Sequence, residues 1–235
     1  MVKNHMKRIS APKTWAVRRK QSIFITRPNP GGHSQEYSMP LSVLLLENLQ
    51  QFRIKKEVKY ALNNKEILVN GKPASDPALS VGLLDTVAIP KVNKHYRLVI
   101  NEKNKLTPVE ISAQESGLIL VKVLGKTSIK GGDLQISTTG GRTIKIPKKQ
   151  VGKTNPQTGS SILLEVPVQK AVHEITFEKG RQAYIFEGRH RGKIVNILDV
   201  TGQTMHFEEN KIKAQTKKRY AIIVGKEKSE ITIIR

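Results

Sequence analysis

The chain has no cysteine among its 235 residues. That excludes a disulfide framework, a thiol nucleophile and any thiolate metal site. Aromatic residues are scarce at 5%, and apolar residues reach only 37%, which suits several small cores better than one large one. No apolar run approaches the roughly 20 residues that a membrane-spanning helix needs. Acidic residues are also in short supply: 19 Asp and Glu stand against 41 Lys and Arg, a net charge of +22 with a pI near 10.2. Such an excess repels itself unless a polyanion neutralises it. RNA, DNA or an anionic membrane surface are the candidate partners.

The excess is spread unevenly. Residues 1–35 hold eight basic residues and no acid, whereas 40–92 hold seven and five, 93–172 thirteen and five, and 173–235 thirteen and eight. The pattern divides the chain into a basic arm (1–39) and three folded segments (40–92, 93–172 and 173–235). The opening Met1-Val2-Lys3-Asn4-His5 leads into no apolar core and no cleavage site, which predicts a cytoplasmic protein.

The arm has too few apolar residues to close a core alone. Its Arg27-Pro28-Asn29-Pro30-Gly31-Gly32 stretch reads as turn and extended chain. A disordered tail is one reading. The other is an arm that folds against RNA, with Trp15 as a stacking ring among Lys7, Arg8, Lys13, Arg18, Arg19, Lys20 and Arg27. On this view, removing residues 1–35 leaves the remainder folded.

In 40–92, Leu41, Leu44, Leu45 and Leu49 follow helical spacing behind Pro40. A second helix starts near Arg53 with Ile54, Val58, Ala61 and Leu62 on one stripe and Arg53, Lys56 and Lys59 on the other face. Ile67-Leu68-Val69-Asn70-Gly71-Lys72 predicts a strand entering a type I′ turn, Pro73 puts the return strand at an edge, and Thr86–Ile89 is a further strand. Helix, helix and this hairpin resemble the alpha-L type RNA-binding domain. That resemblance implies phosphate contacts at Arg53, Lys56, Lys59 and Lys72.

Beyond residue 93, short strands (96–100, 118–124, 143–146) separated by glycine pairs at 131–132 and 140–141 predict a small β-barrel or half-barrel, with Lys145, Lys148, Lys149 and Lys153 clustered on its far side. Near the end, Ala183–Gly188, Arg189-His190-Arg191-Gly192-Lys193 and Ile194–Ile197 form a strand, a glycine-bounded basic loop and a strand. This resembles a KOW motif, which implies a C-terminal KOW/SH3-like β-barrel presenting Arg189, Arg191 and Lys193. The fold class is therefore α+β.

The order of these parts, the opening His5-Met6-Lys7-Arg8-Ile9-Ser10-Ala11-Pro12-Lys13-Thr14-Trp15, and the segments Arg27-Pro28, Gly32-His33, Gly82-Leu83-Leu84-Asp85 and Phe177-Glu178-Lys179-Gly180 resemble small ribosomal subunit protein four of the archaeal and eukaryotic type. The resemblance spans the chain, and the length suits an archaeal member. It implies a structural protein that binds 16S-type rRNA beside neighbouring small-subunit proteins, with no membrane and no small-molecule substrate. An RNA chaperone, a KOW-type elongation or assembly factor, or an rRNA-modifying enzyme carrying an alpha-L domain are the alternatives.

Catalytic patterns are missing. Gly152-Lys153-Thr154 looks like the end of a P-loop, but Pro147 occupies the position of the required glycine. Six scattered histidines have no ligand spacing, and none of the four aspartates follows the Arg-Leu pair of a pseudouridine synthase. The expectation is no enzyme, no metal and no cofactor.

Overall fold

Local sequence explains the first elements. The computed structural model describes residues 5–148, 155–209, 212–226 and 229–233. The arm pairs Met6–Lys7 (β1) with Phe24–Ile25 (β2) as an antiparallel ribbon. Ser38–Pro40 (β3) leads into α1 (Leu41–Val43), which runs on as a π-helical turn over Leu44–Asn48. The Leu49 N–H closes that turn onto the Leu44 carbonyl at 2.9 Å. Leu41, Leu44 and Leu45 are fully buried, as their spacing predicts. The second helix, α2, spans Lys55–Asn63 and buries Val58, Ala61 and Leu62, while Ile54 stays 51% exposed in front of it.

The Asn-Gly hairpin forms between β4 (Leu68–Val69) and β5 (Lys72–Pro73). Asn70 and Gly71 have φ of 53° and 73°, the left-handed pair that a type I′ turn requires. Ser80–Gly82 (β6) pairs with β3, and Thr86–Ile89 (β7) with β4. The sheet then continues: Lys94–Ile100 (β8) pairs with β7, and Leu106–Ile111 (β9) with β8, giving the order β5-β4-β7-β8-β9. Pro73 is at the edge, as expected. A short helix, α3 (Ala113–Ser116), ends the first of two compact units, whose described residues run from 5 to 117.

Strand pairing runs across the boundary drawn at 92. Residues 93–117 belong with the hairpin, because β8 satisfies its backbone on β7 rather than in a new barrel.

The arm is also part of this unit. Trp15 has no exposed surface, and its Nε1–H donates to the Ser38 carbonyl at 2.7 Å. The Leu106 N–H donates to the Thr14 carbonyl at 2.7 Å, so β9 holds the arm through the backbone as well. Residues 5–37 are thus packed into this unit rather than held apart from it as a tail.

The second unit, 118–233, holds two five-stranded sheets. The first has the order β12-β11-β10-β13-β14, from Leu118–Ser128 (β10), Leu134–Thr138 (β11), Thr143–Ile146 (β12), Ser161–Glu165 (β13) and Lys170–Ile175 (β14). The first half of β10 pairs with β13 and the second half with β11, with a bulge between Val123 and Gly125. A bulge bends a strand, and here it opens the sheet into the expected half-barrel. Ile119, Val121, Ile136, Ile162 and Leu164 pack its core. The second sheet is β18-β17-β16-β15-β19, from Gln182–Ile185 (β15), Ile194–Thr201 (β16), Thr204–Glu209 (β17), Ile212–Lys217 (β18) and Ala221–Gly225 (β19). The boundary drawn at 172 falls at a bulge inside β14, whose residues pair with β13 on both sides of it.

Lys122 is buried among these strands. Its Nζ donates to the carbonyls of Lys218 and Ala221, each at 2.6 Å. Burial lowers its pKa from 10.5 to about 8, because no carboxylate among the described residues compensates the ammonium. A neutral amine still has two N–H donors for the two carbonyls.

Two predictions follow from this packing. Trp15→Ala should cost about 3–5 kcal/mol of unfolding free energy, measured by urea titration. The free protein should already show buried-type Trp15 emission, and solvent-like emission without RNA would contradict the packing. For Lys122, the folded pKa is depressed, so the folded state sheds its proton first and stability rises with pH between about 8 and the unfolded value of 10.5. Compared with Lys122→Met, the native protein should gain about 2 kcal/mol between pH 7.5 and 9.5 in denaturant titrations. Parallel pH profiles would refute the buried charge.

Candidate nucleic-acid interface

The arm's cations divide by direction. Lys7, Lys13, Arg18, Lys20 and Arg27 are exposed. Arg8 is not: only 4% of it is accessible. It pairs with Glu47 on the π-helical turn, and its Nε donates to the Arg18 carbonyl at 2.5 Å. Arg19 is half-buried and donates to the carbonyls of Ile9 and Pro12 at 2.8 and 3.0 Å. Arg8 and Trp15 are thus corrections to the expected RNA contacts, while Arg19 keeps part of its surface outward. A guanidinium that satisfies backbone carbonyls and a carboxylate indoors cannot also meet a phosphate, and a ring without exposed surface cannot stack on a base.

On the second helix, Lys56 and Lys59 are exposed one turn apart. Arg53 is exposed too, but it precedes the helix, and its N–H donates to Glu57 Oε2 at 2.8 Å as part of the helix start. It stands at the entry to that face rather than on it. Tyr60, 68% exposed and four residues past Lys56, is an aromatic neighbour the sequence reading passed over. Lys72 is exposed on the edge strand of the hairpin.

The hairpin turn is braced by a buried carboxylate. Asp85 accepts from the Gly82 N–H at 2.7 Å and from Asn70 Nδ2 at 2.9 Å, and lies 3.3 Å from His33 Nε2. Asn70 Oδ1 in turn accepts from the Thr86 N–H at 2.9 Å. A Cβ on Gly82 would lie 2.2 Å from the His33 ring, so glycine is needed for the close approach. Burial pushes the Asp85 carboxyl up, but the hydrogen bonds and charge of His33, with the donors of Gly82 and Asn70, outweigh it and hold the pKa below its usual value.

In the second unit, the loop between β15 and β16 is closed by the Gly192 N–H on the Ile185 carbonyl at 2.7 Å, with positive φ at Gly188 and Gly192. Its three expected cations differ in fate. Arg189 is exposed. Arg191 is half-buried, its Nε donating to the Gly188 carbonyl at 3.0 Å. Lys193 pairs with Glu209, which also lies 2.9 Å from His190 Nδ1. Arg189 alone of the three carries an outward charge without a described partner. At the half-barrel, Lys145 pairs with Asp133 at 2.8 Å, while Lys149, Lys153 and the P-loop-like Gly152-Lys153-Thr154 lie outside the described residues.

Comparison with known proteins gives this surface its context. Residues 2–36 match the RS4NT (NUC023) domain, and residues 92–171 match the Ribosomal family S4e. The chain is 34% identical to the small ribosomal subunit protein eS4 of Methanosphaera stadtmanae over 99% of its own length and 96% of that protein's. It is 37% identical to the eS4 of Nanoarchaeum equitans over 85% and 83%, respectively. The chain belongs to the eS4 family. With the eS4 of Archaeoglobus fulgidus the match reaches 100% of this chain, at 34% identity. The crystal structure of the 30S ribosomal protein S4e from Thermoplasma acidophilum shares the fold, with a TM-score of 0.69 at 23% identity over 84% of this chain and 99% of that one. The RS4NT match of this eS4 family member covers the arm in which Arg8 and Trp15 are buried.

The Asp85 network makes an acid-stability prediction. A carboxyl whose folded pKa lies below the unfolded value stabilises the fold above that value, near 3.8, and loses this contribution as the pH falls through the folded pKa. Asp85→Asn should be less stable than the native protein at pH 7 by about 1–3 kcal/mol, with the gap closing below about pH 4 in urea titrations. A gap that stays constant down to pH 2.5 would sink the assignment.

Proposed function

We propose that the chain is a structural protein of the small ribosomal subunit, binding 16S-type rRNA in the cytoplasm beside neighbouring small-subunit proteins. The observation that carries this reading is kinship with eS4 proteins over essentially the whole chain. The outward cations agree with it. Phosphate neutralisation supplies affinity, and the folded units fix where the charges stand. The contacts are Lys7, Lys13, Arg18, Lys20 and Arg27 on the arm, Arg53, Lys56, Lys59 and Lys72 around the second helix and hairpin, and Arg189 on the β15–β16 loop.

In finer detail, α1, its π-helical turn, α2 and the β4–β5 hairpin act as an alpha-L type RNA-binding domain, and the second sheet of the second unit as a KOW/SH3-like barrel. The order helix, helix, Asn-Gly hairpin supports the first assignment, and the glycine-bounded basic loop between two paired strands supports the second. The protein acts by scaffolding rather than by catalysis.

The triple variant Arg53→Ala, Lys56→Ala, Lys59→Ala tests the interface. Three exposed cations removed should make the slope of log K against log salt shallower by roughly 2 to 2.7, at ~0.7 to ~0.9 per phosphate. Each change should leave unfolding free energy within about 0.5 kcal/mol. A collapse in melting temperature with unchanged rRNA affinity would show these residues to be structural.

A further inference from the structure

With Trp15 buried, the aromatic surface of the arm is at Phe24. That ring is 54% exposed and meets the His5 ring edge-on, with centroids 5.6 Å apart. Beside it opens a cleft of about 840 Å³, within the range of small-ligand sites, between the β1–β2 ribbon and the loop that follows. Its far wall is the Pro28-Asn29-Pro30-Gly31 segment. That wall is stiff. Two prolines fix their own φ, the Asn29 N–H donates to the Ala78 carbonyl at 2.8 Å, and Asn29 Nδ2 donates to Asp76 at 2.6 Å. His33, also lining the cleft, is held against Asp85 at 3.3 Å. The cleft is therefore shaped before anything enters it.

We propose that this cleft receives an unpaired rRNA nucleotide, its base stacked on Phe24 and its phosphate facing Arg27. The proposal rests on the rRNA-binding reading above. Three features favour a nucleotide over a protein side chain. The cleft combines an exposed aromatic face with the amide and hydroxyl groups of Gln35 and Ser80, which suit base edges. Arg27 lines it and is exposed. The arm turns Lys7, Lys13, Arg18, Lys20 and Arg27 outward and has no acid within 1–35, which complements a polyanion and repels a basic neighbour.

The test uses full-length native protein, Phe24→Ala and Phe24→Tyr. Each is titrated against deproteinised small-subunit rRNA and against an unstructured oligoribonucleotide carrying 2-aminopurine. Phe24→Ala should weaken rRNA binding between about five- and hundredfold while the salt slope stays the same, because stacking is lost and no charge is removed. Native protein and Phe24→Tyr should quench 2-aminopurine, and Phe24→Ala should not. Unchanged melting temperature and Trp15 emission confirm that the variants are folded. Native affinity and slope in Phe24→Ala, or no quenching by the native protein, overturn the cleft while leaving rRNA binding standing. Failure of the native protein to bind rRNA at all overturns the functional reading itself. Full rRNA affinity in Phe24→Ala with lost incorporation into reconstituted subunits assigns the face to a protein, which also overturns the proposal.

Discussion

Trp15 Nε1 donates to the Ser38 carbonyl at 2.7 Å in a site closed to water, and the Thr14 carbonyl beside it accepts from the β9 backbone. An indole is the largest apolar group this chain has, and burying it repays the ordering of an otherwise polar segment. Once the ring is in place, the chain on either side has little freedom. Arg8 is drawn to Glu47, β1 meets β2, and the loop from Arg27 to His33 is laid along the cleft. A segment with eight cations and no acid thereby acquires a fixed shape without RNA.

That fixed shape separates the cations into two populations. Those directed inward each have a matching acceptor: Arg8 a carboxylate and a carbonyl, Arg97 the carboxylate and carbonyl of Glu115, and Lys122 two carbonyls. Guanidinium suits the buried carboxylate pairs because its planar fork meets two acceptors at once. Lys122, with no carboxylate, accommodates burial by a depressed pKa instead. The outward population has few acids near it, and a polyanion can reach only these.

Sequence made the local elements legible. The type I′ turn at Asn70-Gly71, the strands Thr86–Ile89 and Thr143–Ile146 and the buried leucines of the first helix stand where their patterns put them. What sequence hid depends on distant partners. Arg8 points inward because Glu47 waits 39 residues away, and Lys193 is neutralised by a glutamate 16 residues on. Strand pairing across 92 and 172 was hidden for the same reason: composition changes there, but the strands on either side pair with each other. Phe24 gave one signal that went unused. It is a ring in a basic segment whose other large ring is needed for the core.

The acids of the folded units reinforce this division. Glu47, Glu66, Asp133, Glu178 and Glu209 each pair with a basic residue of the same chain. Partner hydrogen bonds hold Glu66, Asp133, Glu178 and Glu209 below their usual pKa against a smaller opposing effect of burial. Exposed pairs of this kind add little to stability. Their consequence is that these five acids each neutralise one cation and leave the outward cations of the arm unpaired by them. The free protein then carries a self-repulsion that its modest apolar content must overcome alone. A ligand that binds only the folded state removes that repulsion and stabilises by mass action. The charge excess that weakens the isolated fold is thus what couples its stability to the presence of a polyanion.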